Sequence, residues 1–353
     1  MRILITGGCG FVGSNLAIYL KHKHPRYKIF ALDNLKRRGS ELNLNRLKTA
    51  KISFIHGDIR ILSDFKAVPD PDLIIDAAAE PAVLSGIIES TRYTIDTNLL
   101  GTINTLEYAI KKKAKLIFLS TSRVYPYRLL NKLKTTEKAS RFQIAANQQM
   151  DGAGKKGIKE NFLLNGPKTP YGATKYASEI LITEYEEFLG LSAIINRCGV
   201  IAGPWQMGKV DQGFLVHWLA SHYWEKKLKY IGYKGSGKQV RDVLHIEDLF
   251  NLIDAEIANF QELKGQTFNV GGGLRNSTSL LELTQLCEKV TNKKINVGCD
   301  SKTRPGDVKV YITDNSKVTR LTKWKPKITI SDTVEDVMNW LRTNDEFLKP
   351  IFT

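Results

Sequence analysis

The sequence predicts an α/β fold, a doubly wound parallel sheet with a smaller mixed α/β lobe at the C-terminal end. Short apolar runs without alternation recur along the first two-thirds of the chain, at 52–55, 73–75, 116–119 and 193–195. Strands buried on both faces have this composition. Helical stretches at 98–111 and 174–188 lie between such runs, and this alternation of strand and helix is typical of a parallel sheet covered by helices.

The first predicted strand leads into a glycine-rich turn. An apolar run ends at Thr6, glycines follow at 7, 10 and 13, and a helix-compatible run begins at Asn15. Glycines at this spacing let the backbone turn tightly and approach a pyrophosphate, which the helix N-terminus then binds. Asp33 ends the next apolar run about 20 residues later, where an acidic side chain binds a ribose 2′-OH and favours NAD over NADP. Together these features predict a Rossmann-type NAD site.

The pattern further along the chain predicts two domains. Residues 1–202 form the dinucleotide-binding domain, with a surface insertion at about 126–170 that is polar and weakly periodic. Residues 203–353 form mainly the smaller lobe, with segments of about 240–275 returning to the first domain. In this part we expect helices at 245–260, 279–291 and 332–341, and strands at 267–270 and 294–297.

Composition excludes several classes of protein. The net charge is +16, but the basic residues are scattered and no helix-turn-helix or finger pattern accompanies them, so no nucleic-acid partner is expected. No apolar stretch approaches the ~18 residues of a membrane helix, so no membrane insertion is expected. The four cysteines, at 9, 198, 287 and 299, lack metal-type spacing. They are interpreted as reduced thiols of a cytoplasmic protein that holds no metal.

A tyrosine and a lysine four residues apart, Tyr171 and Lys175, are the candidate catalytic pair. On a helix this spacing places both on one face. A neighbouring ammonium and a cationic nicotinamide would both favour the phenolate, so Tyr171 could take a proton from a sugar hydroxyl. The preceding strand ends in Ser120, Thr121 and Ser122, which offers hydroxyls at the carboxyl edge of the sheet.

These motifs together resemble the extended short-chain dehydrogenase/reductase superfamily of nucleotide-sugar epimerases and dehydratases, over essentially the whole chain. C-terminal strings narrow the resemblance to the CDP-paratose 2-epimerase (CDP-tyvelose epimerase) family; they are 211–213, 237–245, 268–273, 276–283 and 304–311. The resemblance implies tightly bound NAD, inversion of C2 of a CDP-linked deoxyhexose, a role in polysaccharide synthesis, and a homodimer or homotetramer. The helices at 98–111 and 174–188 would form the interface between subunits.

The resemblance also implies roles for individual residues. Tyr171 would be the base, Lys175 would bind the nicotinamide ribose, and Thr121 would orient or relay the sugar proton. Other residues would contact the cofactor, namely Gly7, Gly10, Phe11, Val12, Asp33, Asn34, Asp58, Ile59, Ala77, Ala78, Ala79, Asn98, Ser120 and Cys198. The substrate would contact Thr121, Arg123, Gln206, Gln212, Arg241, Arg304 and Asp307. Arginine suits a diphosphate, because its planar guanidinium binds two oxygens at once.

Three positions depart from the family pattern. Asp76 stands where His is usual, Glu80 where Gln is common, and Ser122-Arg123 where Asn-Lys is expected. Asp76 is interpreted as a hydrogen-bonded polar residue at a strand end. A UDP-sugar 4-epimerase uses the same Tyr, Thr and Lys and stays open as an alternative. A 4,6-dehydratase is disfavoured, because its usual Asp-Glu pair after the Thr is absent.

Two further alternatives concern the cofactor. A reductase with a dissociable NADPH would use the basic residues 36–38 to hold a 2′-phosphate, although Asp33 disfavours it. A protein that binds NAD without catalysis would leave the Tyr171–Lys175 pair without a role.

Overall fold

The computed structural model describes residues 1–82, 90–210 and 212–352. The strands of these residues, in chain order, are β1 (Arg2–Thr6), β2 (Lys28–Asp33), β3 (Ser53–His56), β4 (Leu73–Asp76), β5 (Lys115–Thr121), β6 (Thr135–Glu137), β7 (Phe142–Ile144), β8 (Ala153–Gly154), β9 (Gly157–Ile158), β10 (Ala193–Cys198), β11 (Val200–Ala202), β12 (Leu228–Ile231), β13 (Val240–His245), β14 (Gln266–Val270), β15 (Ser277–Ser279), β16 (Val297–Asp300) and β17 (Val310–Tyr311).

The helices of the same residues are α1 (Phe11–Lys23), α2 (Asn43–Thr49), α3 (Thr91–Ile95), α4 (Gly101–Lys112), α5 (Tyr127–Leu130), α6 (Pro170–Leu189), α7 (Phe214–Tyr223), α8 (Ile246–Ala258), α9 (Phe260–Leu263), α10 (Leu280–Thr291), α11 (Ser316–Thr322), α12 (Ile330–Thr343) and α13 (Asp345–Phe352). A π-helical turn, Asp96–Leu100, joins α3 to α4. None of the described helices is long and apolar enough to cross a membrane.

Seven strands form the main sheet, in the order β14-β10-β5-β4-β1-β2-β3. The pairs β1–β2, β2–β3, β1–β4 and β4–β5 are parallel. The chain leaves β1 toward β2 and β3 on one side and later returns to β4 and β5 on the other. This order makes the carboxyl ends of β1 and β4 a topological switch point, where open α/β sheets bind their ligands. The predicted doubly wound α/β class is confirmed.

Local sequence explains where α6 begins and ends. Thr169 caps the helix, because its hydroxyl accepts a hydrogen bond from the Gly172 N–H at 3.2 Å. Pro170 follows at the first helical position, where its missing N–H costs nothing. Gly190 ends the helix in the left-handed conformation, at φ 71°, which glycine adopts without the strain of a Cβ. Tyr171 and Lys175 therefore lie in its first two turns.

The chain divides into two compact units. The first unit comprises 1–124, 169–197 and 250–268 and contains the glycine turn and the Tyr–Lys pair. Its core is built from apolar residues of the sheet and the covering helices, among them Leu4, Ile74, Leu116, Phe118 and Ile182.

The second unit comprises 125–168, 198–249 and 269–353. Strand β13 lies at the centre of its sheet, parallel to β11 and β17 and antiparallel to β15. The segment predicted as a surface insertion, 126–170, forms two short antiparallel hairpins, β6–β7 and β8–β9. Phe142, Ile144 and Ile158 in these hairpins are buried, so much of the segment contributes to a core.

The bounds of the predicted strand at 294–297 are wrong. The strand observed there is β16, which begins at Val297 and pairs in parallel with β12. The predicted helix at 98–111 begins within the π-helical turn and continues as α4. Both differences arise because pairing partners and helix packing, which are distant in sequence, decide where each element begins.

Candidate active site

The glycine turn after β1 is packed too closely for side chains. Gly7 has φ +63°, and a Cβ there would lie 2.8 Å from the Ala78 Cα; a Cβ on Gly13 would lie 2.2 Å from the Gly7 carbonyl oxygen. The small residues Ala77, Ala78 and Ala79 follow β4 at the switch point and permit this approach. The turn thus has the compact backbone that a dinucleotide pyrophosphate requires.

Helix α1 begins directly at this turn. Gly10 is its N-cap, and no described side chain caps it. Phe11 and Val12 are its first two residues, so their N–H groups belong to the uncapped first turn. Such a terminus is suited to anions. The residues present therefore fit the pyrophosphate of NAD.

The carboxylate of Asp33 lies against the same turn. Its oxygens accept hydrogen bonds from the N–H groups of Cys9 at 3.0 Å and Leu35 at 2.8 Å. Burial raises the pKa of Asp33, and the backbone donors oppose that rise. Since an ionised carboxylate offers about four acceptor positions, it retains capacity for ribose hydroxyls.

Asn34 and Asp58 lie together beyond Asp33. The Asn34 side-chain amide donates to Asp58 at 2.9 Å, and Arg60 forms an ion pair with Asp58 at 2.6 Å. Burial would raise the pKa of Asp58, but the hydrogen bonds from Arg60 and Asn34 prevail and lower it to about 2. Asp58 is therefore ionised at neutral pH. The neighbouring Ile59 is buried.

Asn98 holds three segments together. Its side-chain oxygen accepts the Glu80 N–H at 2.8 Å, and its amide donates to the Glu80 carbonyl at 3.1 Å and the Thr174 hydroxyl at 3.2 Å. Ser178 donates to the Asn98 carbonyl at 3.0 Å. Asn98 thus connects the loop after β4 to α6, from within the π-helical turn, a feature frequent at functional sites.

The three predicted catalytic residues lie in the first unit, at the end of β5 and the start of α6. Lys175 is 1% exposed, and its ammonium lies 3.8 Å from the centre of the Phe118 ring. Thr121 ends β5, and its hydroxyl accepts the Arg123 N–H at 3.2 Å. A Cβ on Gly172 would lie 2.2 Å from the Arg123 carbonyl oxygen, so α6 begins in close contact with the segment after β5.

Ser120 has a structural partner. Its hydroxyl donates to Glu179 at 2.5 Å, and Glu179 forms a buried ion pair with Arg197 at 2.8 Å. The predicted contact of Ser120 with a cofactor would therefore involve its backbone or an exchange of this hydrogen bond. Cys198, at the end of β10, is also buried.

The predicted substrate residues of the second unit form a chain of contacts. Arg241 pairs with Asp307 at 2.7 Å, and the Asp307 N–H donates to the Arg304 carbonyl at 3.2 Å. The Arg304 guanidinium in turn donates to the Val210 carbonyl at 3.2 Å. Three segments that are remote in sequence, at Val210, Arg241 and 304–307, are thereby joined.

Gln206 and Gln212 lie on the loop that carries Val210. The Gln206 amide donates to the Ile201 carbonyl at 2.9 Å, which fixes the orientation of the amide. The side-chain oxygens of both glutamines are buried and have no hydrogen-bond partner among the described residues. Such acceptors are costly unless a ligand or water supplies a donor.

Sequence reasoning missed several residues that support the glycine turn. Asn43 donates to the Cys9 carbonyl at 2.8 Å, and Arg46 donates to Asn43 at 2.6 Å and to Asn15 at 2.9 Å. Gly8, outside the glycine spacing, packs against Ala31 of β2. The adjacent glycines at 7 and 8 were a visible signal for Gly8, whereas nothing near Asn43 and Arg46 in sequence indicated their contacts.

Cys9, beside the glycine turn, is buried. Burial, followed by the charge of Asp33, raises the pKa of Cys9 to about 12, so this thiol is protonated at neutral pH. In the described part of the chain, no group of three or more His, Cys, Asp or Glu side chains is arranged to hold a metal ion.

Known proteins are similar to this chain over most of its length. The NAD dependent epimerase/dehydratase family matches residues 3–271. CDP-paratose 2-epimerase of Salmonella typhi is 33% identical over 96% of this chain and 99% of that protein. UDP-glucuronate 4-epimerase of Thermodesulfobacterium geofontis is 27% identical over 99% of this chain and 98% of that protein.

Solved structures share the fold. UDP-glucuronic acid 4-epimerase from Bacillus cereus, in complex with UDP-glucuronic acid and NAD, has a TM-score of 0.79 and 26% identity over 97% of this chain and 99% of that chain. The dinucleotide turn and the Tyr–Lys pair define a nicotinamide-dependent enzyme of the extended short-chain dehydrogenase/reductase class. Within that class, the chain belongs to the NAD-dependent epimerase/dehydratase family.

Proposed function

We propose that this chain is a nucleotide-sugar epimerase that keeps NAD bound and inverts C2 of a CDP-linked deoxyhexose of the CDP-paratose/CDP-tyvelose type, through a transient keto-sugar. One observation carries the choice of substrate: the identity of 33% to a CDP-paratose 2-epimerase extends over 96% of the chain. The family as a whole supports the coarser part of the proposal, a nucleotide sugar as substrate.

The first unit would hold NAD. Backbone groups of Gly7, Gly10, Phe11 and Val12 would bind the pyrophosphate, and Asp33 would bind the adenosine ribose. The other cofactor contacts would come from Asn34, Asp58, Ile59, Ala77, Ala78, Ala79, Asn98, Ser120 and Cys198. Because a carbinol carbon without an activating group has no acidic proton, NAD would supply the hydride acceptor and donor that inversion requires.

Tyr171 would remove the proton from the sugar hydroxyl that is oxidised, and would return it after inversion. Lys175, one helical turn away, would stabilise the phenolate and bind the nicotinamide ribose. Thr121 would orient the hydroxyl or relay its proton.

The second unit would bind the nucleotide. Arg241 and Arg304 carry the charge that a diphosphate requires, and Asp307 orients Arg241. The buried oxygens of Gln206 and Gln212 would accept hydrogen bonds from ligand donors or bound water. Arg123, which follows Thr121, would contact the sugar. Tight binding of the nucleotide with loose binding of the sugar would allow the keto-sugar to present its other face.

A UDP-sugar 4-epimerase is the second candidate. Its support is the similarity over nearly the whole chain to two UDP-glucuronate 4-epimerases. The sequence identity is 27% to the Thermodesulfobacterium geofontis protein and 26% to the protein of the Bacillus cereus structure. The same Tyr171, Lys175 and Thr121 would serve that reaction.

Mass spectrometry of ligand released from denatured protein, followed by NMR of the protein with CDP-, UDP-, GDP- and dTDP-sugars, distinguishes the candidates. We expect stoichiometric NAD and isomerisation of a CDP-sugar at C2, with Tyr171→Phe protein as the inactive control. Turnover of UDP-sugars alone would transfer the assignment to the 4-epimerase. Protein that is empty and inert toward all four sugars would overturn both.

A further inference from the structure

A buried carboxylate that no catalytic role uses lies at the switch point of the sheet. Asp76 ends β4 and is completely buried. The Thr6 hydroxyl of β1 donates to it at 2.5 Å, and the Thr102 hydroxyl of α4 approaches its other oxygen at 3.4 Å. A carboxylate in such surroundings is costly unless a positive charge compensates it.

A buried ammonium lies against the neighbouring strand, β5. In the sheet, Asp76 is paired in register with Phe118 of β5, and the Lys175 ammonium of α6 lies 3.8 Å from the centre of the Phe118 ring. Burial raises the pKa of Asp76, and the charge of Lys175 opposes that rise. The two groups, which have opposite charges when both are ionised, thus lie near one another in the interior of the first unit.

We propose that Asp76 is the buried counter-ion of Lys175, and acts through it as a positioning residue for the reaction. Thr6 fixes the carboxylate, which stabilises the Lys175 ammonium above Phe118. The role in catalysis rests on the proposed function, because that function assigns Lys175 to the Tyr171 phenolate and the nicotinamide ribose. The charge coupling itself does not depend on any substrate.

The first test therefore measures stability alone. A double-mutant cycle combines Asp76→Asn, which keeps the size of the side chain and an acceptor for Thr6, with Lys175→Met. We expect the unfolding equilibrium constant of the double variant to deviate from the product of the single effects by about 5-fold or more, toward stability. Additive effects would overturn the counter-ion. If Asp76→Asn does not fold, Thr6→Val replaces it in the cycle. We expect its coupling to Lys175→Met to have the same sign. Additive effects of these two variants on stability would again overturn the proposal.

The second test uses the pH dependence of turnover. Removing a negative charge lowers the pKa of neighbouring groups, so Asp76→Asn should move both limbs of the rate profile to lower pH and reduce turnover by about 10-fold or more. A rate that falls equally at every pH would indicate a structural role and overturn the positioning role. Glu256→Gln, another buried acid replaced by its amide, is the matched control, with its profile unmoved.

The two tests fail separately. If the Asp76 and Lys175 variants are coupled in stability but the protein turns over no nucleotide sugar, the counter-ion is retained and the proposed function is rejected. If turnover is normal, the effects on stability are additive and the pH profile of Asp76→Asn is unmoved, the proposed function is retained and the counter-ion is rejected.

Discussion

At the scale of single residues, the carboxylate of Asp33 serves both the backbone and the expected ligand. It accepts N–H groups from Cys9 and Leu35, and these bonds hold its oxygens beside the glycine turn. The same placement leaves lone pairs for the two hydroxyls of a ribose, while a 2′-phosphate would meet a like charge.

We therefore predict that Asp33→Ala weakens binding of NAD much more than binding of NADP. Calorimetric titration of the apoprotein with each cofactor measures the two losses of affinity. The comparison controls for damage to the turn, because both cofactors bind it through the same pyrophosphate. Equal losses would contradict the role of Asp33 at the ribose.

Tyr171 provides the second prediction at this scale. Tyr171→Phe removes the base, so turnover should fall by at least ~100-fold while NAD stays bound. NMR follows turnover, and mass spectrometry measures the cofactor content. The control is Tyr185→Phe, further along α6, which removes a hydroxyl that donates to Glu107 of α4. This variant should retain turnover. Unchanged activity of the Tyr171 variant would reject the proposed mechanism.

At the scale of elements, the turn between β1 and α1 depends on close approach more than on backbone flexibility. Gly7 and Gly190 both have positive φ, at +63° and +71°, but only Gly7 has neighbours that a Cβ would meet. Replacing each by alanine separates the two requirements.

Gly7→Ala should displace the Ala78 segment and abolish binding of NAD. Gly190→Ala should lower the free energy of unfolding by only about 1 kcal/mol, the cost of a left-handed alanine, and should keep the cofactor. Cofactor content and the midpoint of urea unfolding report the two effects. Retention of NAD by the Gly7 variant would show that the turn does not hold the pyrophosphate.

Helix α6 also presents apolar side chains to solvent. Phe188 is 75% exposed and Ile180 is 47% exposed. Exposed apolar groups of this size favour association, which agrees with the predicted homodimer or homotetramer. Light scattering should therefore find an oligomer, and Phe188→Asp should shift it toward monomer. A monomeric wild-type protein would contradict this prediction.

At the scale of the whole molecule, stability depends on pH through buried acids. Glu256 is completely buried with Asn196 as its partner. Burial is the largest influence and raises the pKa of Glu256 to about 8. At neutral pH the folded state therefore binds this proton, whereas the unfolded state releases it near the ordinary glutamate pKa of 4.5.

Stability from Glu256 is thus fully present below about pH 4.5 and is lost as pH rises toward about 8. Relative to the wild type, Glu256→Gln should be more stable at pH 8 than at pH 5, because glutamine does not ionise. Urea unfolding at both pH values measures the difference. A difference that does not change with pH would place the pKa of Glu256 near its ordinary value.

Local patterns were sufficient for the fold class and for many residues of the candidate site. The glycine turn, Asp33 and the Tyr171–Lys175 spacing each depend on residues within one turn or one βαβ unit, so periodicity and glycine placement reveal them. The predicted helices at 279–291 and 332–341 are confirmed as α10 and α12 for the same reason. The start of β16 was missed, because its pairing with β12 depends on a segment far away in the chain.

What the sequence by itself determined is therefore the doubly wound class, the dinucleotide turn and the family resemblance, because backbone geometry and burial periodicity are properties of neighbouring residues. Only the tertiary structure decided which distant side chains meet. It placed the Lys175 ammonium over the ring of Phe118, which is paired in register with Asp76, and it joined Arg241 to Asp307. The physical reason is that charge pairing and burial depend on distance in space, which chain position does not specify.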